Sequence, residues 1–456
     1  MSVPRLVVSG LERGPAVALA AGALLACLGE RRIVRPICVG LDLPLWRLLS
    51  AGPGKAPRIL DLALHDVETV AELYDSWAAG SELVLLVAVL PALDRWQGAV
   101  SSRPVDVAAS LDAPLVLVVD ARERGATVAA AVYGARALAP RAQIAGVIVV
   151  GGDEQGAGAE LAEVLRRDVG VELLGWIPPG LSERFASRYE SASRGATATT
   201  GADGVEGLCA EAGAHLQREA VQSAAAHRGF LPAPPRRVLA PLPTATGLTL
   251  AVAWGGPLEP FGLENLDLLR AAGLDLAPFD VGRDRELPPN SSGLLLAGQL
   301  DEGRLPAVAA NRELLTALAE AIGDGLPTLA FGGGALLLLR RLADSRGRSH
   351  ELAGVLPAEA ELLEWYEQPR YVRARPAREN PYDGEDNLLY ELFDLEFLLL
   401  ERDTFAYNVG AQGGVAQAEG FTLGACLATT LYPSLPRCPA VAANFVTAMR
   451  LAGPRA

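Results

Sequence analysis

Ten residues near the start of the chain carry the spacing of a phosphate-binding turn. Ser9-Gly10-Leu11-Glu12-Arg13-Gly14-Pro15-Ala16-Val17-Ala18 keeps glycines at Gly10 and Gly14. In such a frame, backbone amides and a helix N-terminus face the phosphate. Nucleotide chemistry needs more: a lysine for the β- and γ-phosphates and a hydroxyl for magnesium at the helix start. The chain has Val17 and Ala18 there. Glu12 adds a negative charge where phosphates would approach, and Pro15 removes an amide donor. Lys55 is the only lysine in the chain. Its context, Gly52-Pro53-Gly54-Lys55-Ala56, has Leu49 where a P-loop would begin with glycine and no hydroxyl after the lysine. It reads as a surface turn.

Thiol and imidazole chemistry is equally thin. Five cysteines (Cys27, Cys38, Cys209, Cys426 and Cys438) form no CxxC and lie too far apart for a disulfide framework, which fits a reducing, cytoplasmic setting. Four histidines (His65, His215, His227 and His350) show no HxxxH spacing, so no metal site is expected. With 40 basic and 54 acidic side chains the formal charge is −14, and no Lys/Arg cluster offers the cations that nucleic-acid affinity needs. Residues 15–28 are apolar, and Leu24-Leu25-Ala26-Cys27 imitates a lipoprotein cleavage box. Glu12 and the lack of a preceding basic cluster favour a buried helix instead. The run is also too short to span a bilayer, so no membrane association is expected.

The elements that must hold these residues follow from hydrophobic patterning. Apolar runs at Arg5–Ser9, Ile33–Val39, Leu83–Leu90, Leu115–Asp120 and Ile144–Val150 show little alternation, as strands buried on both faces of a parallel sheet do. Helical patterns between them, such as Val105–Ser110 and Thr127–Leu138, predict a doubly wound α/β domain over 1–186. Residues 187–245 change character. A Ser/Ala/Gly/Thr stretch, a helical piece around Ala210–Ala226 and Pro232-Ala233-Pro234-Pro235 predict a helical segment and Pro-rich linker. A second α/β series spans 246–456, with strands at Thr249–Ala253, Gly293–Ala297 and Pro327–Ala330 and helices at Leu263–Ala272 and Leu305–Ala321. Residues 366–386 are expected as an exposed loop or strand excursion, and Ala440–Leu451 as a terminal helix.

In this order the segments resemble the cobyrinic acid a,c-diamide synthase family. The first half contributes Leu6–Gly14, Arg35–Asp42, Leu111–Arg122 and Leu174–Pro178. The second contributes Glu264-Asn265-Leu266, Ala309–Arg312, Gly333-Gly334, Gly354–Pro357 and Glu419-Gly420-Phe421. The resemblance runs from Arg5 to Arg450. It implies a P-loop NTPase-like, dethiobiotin synthetase-like domain joined to a class I glutamine amidotransferase-like domain. It further implies Mg-ATP and glutamine as the family's reactants, and amidation of corrinoid side-chain carboxylates as its reaction.

The departures fall on the positions that the resemblance makes catalytic. Val17 and Ala18 replace the P-loop lysine and threonine, and Cys38-Val39-Gly40 replaces a Lys-Val-Gly. Val87-Ala88 takes the place of an acidic magnesium-organising pair, and Val150-Gly151 that of an adenine-reading Asn-Arg pair. Asp42 and Asp120 are retained. In the second half, Phe331-Gly332-Gly333-Gly334 puts Gly332 at the thiol nucleophile and Gly298-Gln299 at the oxyanion side, while Tyr390–Phe393 is expected to put Phe393 at the base. No histidine follows His350. A missing nucleophile ends the glutaminase mechanism.

The expectation is therefore a catalytically inactive homologue with no cofactor, acting as a binding or scaffolding subunit in a homodimer or with an active paralogue. A tetrapyrrole carrier, using Arg122 and Arg124 toward carboxylates, is the alternative. A residual ammonia-using ATP-dependent amidoligase with Arg13 in the loop is the third reading.

Overall fold

The computed structural model describes residues 3–453 apart from 31, 52–56, 89, 95–102, 123–126, 153, 194–203, 228, 230, 235–237, 239–241, 244, 256, 260–261, 378–379, 402–404 and 411–416. Lys55 and Arg124 therefore lie outside the described residues. The chain divides into two compact units, Met1–Pro235 and Arg236–Ala456.

The first unit is a seven-stranded, all-parallel sheet. Its strands are β1 (Arg5–Gly10), β2 (Val34–Val39), β3 (Arg58–Leu60), β4 (Leu83–Ala88), β5 (Leu115–Asp120), β6 (Ile144–Val150) and β7 (Glu172–Ile177). They lie in the order β3-β2-β4-β1-β5-β6-β7. β1 and β4 are buried along their whole length, which is why their sequences are continuous apolar runs rather than alternating ones. The α-helices of this unit, among the described residues, are α1 (Pro15–Gly29), α2 (Leu43–Ala51), α3 (Val67–Ala78), α4 (Pro104–Ser110), α5 (Thr127–Leu138), α6 (Glu154–Val164, continued by a π-helical turn over Leu165–Val169), α7 (Pro179–Ser193), α8 (Val205–Gly213) and α9 (Arg218–Ala224).

The stretch resembling a cleavage signal is α1, a core helix with Val17 to Leu24 and Cys27-Leu28 buried. Its apolar surface runs all round because it lies between the sheet and helices α7 and α8. The helical segment expected within 187–245 takes part in this packing through α8. Val205, Leu208, Cys209 and Ala212 of α8 are buried, and α8 packs on α1 as part of the first unit. Two strands, β3 and β7, are not among the expected runs; both are edge strands, and the three residues of β3 are too few to show a period.

The second unit contains two sheets. One is mostly parallel, built from β8 (Thr249–Ala253), β10 (Asp275–Phe279), β11 (Ser291–Leu300), β12 (Thr328–Gly332) and β20 (Cys426–Thr429), with β19 (Phe421–Leu423) antiparallel at one edge. The two-residue β9 (Leu258–Glu259) pairs with the end of β11. The other sheet joins β13 (Leu339–Ala343), β14 (Ser349–Glu351), β15 (Leu356–Pro376), β16 (Asn387–Leu400), β17 (Tyr407–Gly410), β18 (Gln417–Glu419) and β21 (Leu431–Tyr432). Helices α10 (Leu263–Ala271), α11 (Leu305–Ala310), α12 (Arg312–Gly323), α13 (Gly333–Leu336) and α14 (Pro439–Ala452) complete the unit. The helix expected over 305–321 is two helices, since Asn311 leaves helical geometry and turns its side-chain amide onto the Val281 and Asp284 carbonyls. The 366–386 excursion is half strand: β15 continues to Pro376 and pairs with β16 and β17.

Candidate functional site

In a doubly wound sheet the ligand crevice lies at the carboxyl ends of the strands, where the strand order reverses. In the first unit that point is the turn from β1 into α1. Val17 and Ala18 are buried on the first turns of α1, at 1% and 0% exposure. Val17 folds back onto the strand end, where its Cγ2 would lie 2.6 Å from a Cβ placed on Gly10. An apolar methyl group thus packs at the strand end, at the position where a P-loop carries its lysine. Gly14 keeps a backbone that only glycine adopts readily (φ 139°, ψ 179°). The turn is tied down by Leu11 N–H to the Val118 carbonyl at 3.0 Å and by Ala92 N–H to the Gly10 carbonyl at 2.7 Å.

The retained carboxylates have structural work. Asp42 is buried, and its Oδ1 accepts the Leu45 amide at 2.8 Å at the start of α2. Asp120, at the end of β5, takes the Arg122 guanidinium through Nε at 3.0 and 2.9 Å and Nη2 at 2.6 Å. A carboxylate held by an arginine fork has its lone pairs occupied and its charge offset. Gly10, Gly14, Val17 and Ala18 are brought together at one turn, whereas Asp42 lies just after β2 and Asp120 at the end of β5, with β4 and β1 between those strands, and both are engaged locally.

The second unit presents a different arrangement. β12 ends at Gly332 with φ 58° and ψ −125°, and α13 starts at the next residue. This is the sharp strand-to-helix turn that displays a nucleophile in hydrolase-like sheets. The turn depends on close approach of backbones. A Cβ on Gly333 would meet the Leu300 amide nitrogen at 2.5 Å, and one on Gly334 would overlap the Leu296 carbonyl. Gly332 carries no side chain. From its Cβ position, Leu392 Cδ1 lies at 3.0 Å, the Gly298 carbonyl oxygen at 3.2 Å and Tyr432 Cδ2 at 3.4 Å.

The side chains nearest to the Cβ position of Gly332 are those of Leu392 and Tyr432, not the Phe393 expected at the base position. Phe393 is the next residue along β16, so strand alternation directs it to the opposite face. Tyr432 follows β20, the strand that pairs with β12 through Phe331 and Thr429. Sequence reasoning missed it because residues 332 and 432 meet only after a long antiparallel excursion. The available signal was a side chain just past the strand neighbouring the elbow.

Tyr432 cannot serve as a base. Burial pushes its phenol far above the ordinary value, the Glu264 charge adds to that, and a hydrogen bond with Asn265 offsets part of it. The hydroxyl therefore stays protonated. Asn265 also fixes the following turn, donating to the Pro433 carbonyl at 2.9 Å and accepting the Leu435 amide at 2.7 Å.

No thiol substitutes for the missing nucleophile. All five cysteines are buried. Burial pushes the Cys209 and Cys426 thiols up to about 12, and Cys438 is likewise raised by burial. Cys426 pairs with Thr328, at the far end of β12 from the elbow. Among the described residues, no group of three or more His, Cys, Asp or Glu side chains could hold a metal ion. Nor is any described helix long and apolar enough to cross a membrane.

Comparison with known proteins places this geometry among relatives. Residues 250–384 match the model of the CobB/CobQ-like glutamine amidotransferase domain. A hydrogenobyrinate a,c-diamide synthase from Streptomyces coelicolor is 31% identical over 404 residues, covering 79% of this chain and 80% of that protein. A cobyrinate a,c-diamide synthase from Gloeobacter violaceus is 30% identical, covering 74% of each chain. One from Dehalococcoides mccartyi is 24% identical, covering 98% of both.

Proposed function

From the premise that the chain belongs to the cobyrinate a,c-diamide synthase family, we propose that it is a member without either half-reaction, serving as a binding or scaffolding subunit. Its setting would be cobalamin-type biosynthesis in the cytoplasm, and its partner a second copy or an active paralogue. The observation that carries this reading is Gly332. The elbow backbone keeps its nucleophile-bearing conformation while the residue there has no side chain, and a neutral, buried Tyr432 stands beside it. Glutamine hydrolysis at this point has neither nucleophile nor base.

The first unit supports the same conclusion by a separate route. Phosphoryl transfer rests on preorganised charge. At the β1–α1 turn the lysine and hydroxyl positions are buried apolar residues, and the retained Asp120 is clasped by Arg122. Apolar replacement is the stable outcome once a charged site loses its ligand, because an unpaired buried charge costs more than a packed methyl group.

The test has two parts. Calorimetry with millimolar Mg-ATP and Mg-ADP is expected to show no saturable heat, and incubation with glutamine no ammonia. Sedimentation alone and with an active family member is expected to show association. Saturable nucleotide binding or ammonia release would return the protein to the enzymes, and a strict monomer indifferent to an active relative would remove the scaffolding role.

A further inference from the structure

The vacated elbow offers more than the absence of a cysteine, because its surroundings have closed over it. Leu392 is fully buried on β16, and its Cδ1 lies 3.0 Å from the Cβ position of Gly332. Tyr432 closes a second side at 3.4 Å, its ring in edge contact with Phe331 at 6.3 Å between centroids. The two plugging residues are coupled through a β-ladder. Tyr390 pairs with Tyr432 and Glu391 with Leu431, so the strand carrying Leu392 is fastened to the one carrying Tyr432. The Gly298 carbonyl oxygen bounds a third side at 3.2 Å. A nucleophile side chain extends a further bond beyond Cβ, into space that a close-packed interior does not leave vacant.

We propose that Leu392, held by the β16–β21 ladder, is the residue that shuts the elbow, so that the site excludes a nucleophile side chain as well as lacking one. The former reaction centre then works as a fastener: the antiparallel sheet inserts one leucine and one tyrosine against the glycine where the parallel sheet turns into α13. Glycine serves the fastener in two ways, by adopting φ 58° without strain and by leaving room for the leucine. Restoring the cysteine alone would accordingly fail to give an accessible thiol. This inference rests on the reading that residue 332 carries no chemistry.

The test is alkylation of Gly332→Cys and of Gly332→Cys/Leu392→Ala with iodoacetamide, read by mass spectrometry of the peptide that contains residue 332. The native thiols are buried and give a low background. The single variant is expected to be modified at least about 10-fold more slowly than the double variant, since a thiol walled in by packed side chains is inert. Equal rates would overturn the proposal, as the elbow would then be open. Should Gly332→Cys fail to fold, a thermal-denaturation cycle of Gly332→Ala, Leu392→Ala and the pair decides it. Backbone strain at 332 adds independently, whereas a shared contact makes the pair less destabilised than the sum of the singles. Strict additivity would also overturn the proposal. Ammonia release from glutamine by the unmodified protein, measured in parallel, would defeat the underlying reading. A silent unmodified protein together with a freely reactive thiol in Gly332→Cys would defeat the plug alone.

Discussion

The β1–α1 and β12–α13 turns both lead from a strand end into a helix, and they are packed in opposite ways. At the β1–α1 turn the side chains do the packing. Val17 and Ala18 lie on helical backbone, where any good helix former fits, and Val17 packs against the strand end. At the β12–α13 turn residue 332 is a glycine, and Leu392 and Tyr432 pack against its Cβ position. There the backbone is the constrained part, held at φ 58° by the close approach of Gly333 and Gly334 to β11. A site that owes its geometry to ordinary helical backbone can be refilled locally. One that owes it to an unusual backbone stays recognisable after its chemistry is gone.

The strongest challenge to this contrast is Gly334→Ala. Its Cβ would overlap a main-chain carbonyl that cannot swing aside, so a loss of about 4 kcal/mol or more is expected, enough to unfold the second unit. Chemical denaturation followed by far-UV circular dichroism reads it. A tolerated alanine would mean the elbow is not held by backbone contact. Next comes Val17→Lys with Ala18→Thr in the first unit. Putting an ammonium where the surroundings are apolar is expected to cost about 3 kcal/mol, with no Mg-ATP-dependent rise in melting temperature. A nucleotide-dependent stabilisation would show that the phosphate crevice survives intact.

A milder effect is expected for Gly14→Ala. Nothing lies within 4 Å of the added methyl, so only the strained backbone at φ 139° counts, at roughly 1–3 kcal/mol. Comparing it with Gly334→Ala separates strain from collision.

The smallest effect concerns buried carboxyls. In the first unit Asp120 is neutralised by an arginine, but in the second Asp383 is buried among Tyr407, Asn387 and the Glu385 amide with no cation bonded to it among the described residues. Burial is the main cause that raises its carboxyl above the usual range, against the lowering effect of those bonds. A raised folded value means that its contribution to stability is present at low pH and fades as pH rises through that value. Asp383→Asn should therefore gain on the unmodified protein as pH increases from the carboxylate range to neutrality, by thermal melts across that interval. A constant difference would show that the site titrates normally.

Much of the fold was legible because fully buried parallel strands write themselves as unbroken apolar runs. β1, β2, β4, β5 and β6 all declared themselves in this way, with boundaries shifted by a residue or two. Composition was legible in the simplest way: Lys55 is the only lysine and no histidine follows His350, so neither residue type occupies the positions of Val17 or Phe393.

Tertiary structure alone decided which side chains stand beside the two turns. Tyr432, rather than Phe393, stands beside Gly332, because pairing of β12 with β20 and of β16 with β21 brings together residues far apart in sequence. The membership of α8 in the first unit likewise depended on which helix surface α1 left to be covered. So did the conversion of Asp120 from a retained carboxylate into one arm of an ion pair with Arg122. Contacts of this kind are set by strand register and packing across long loops, and local sequence patterns carry no record of them.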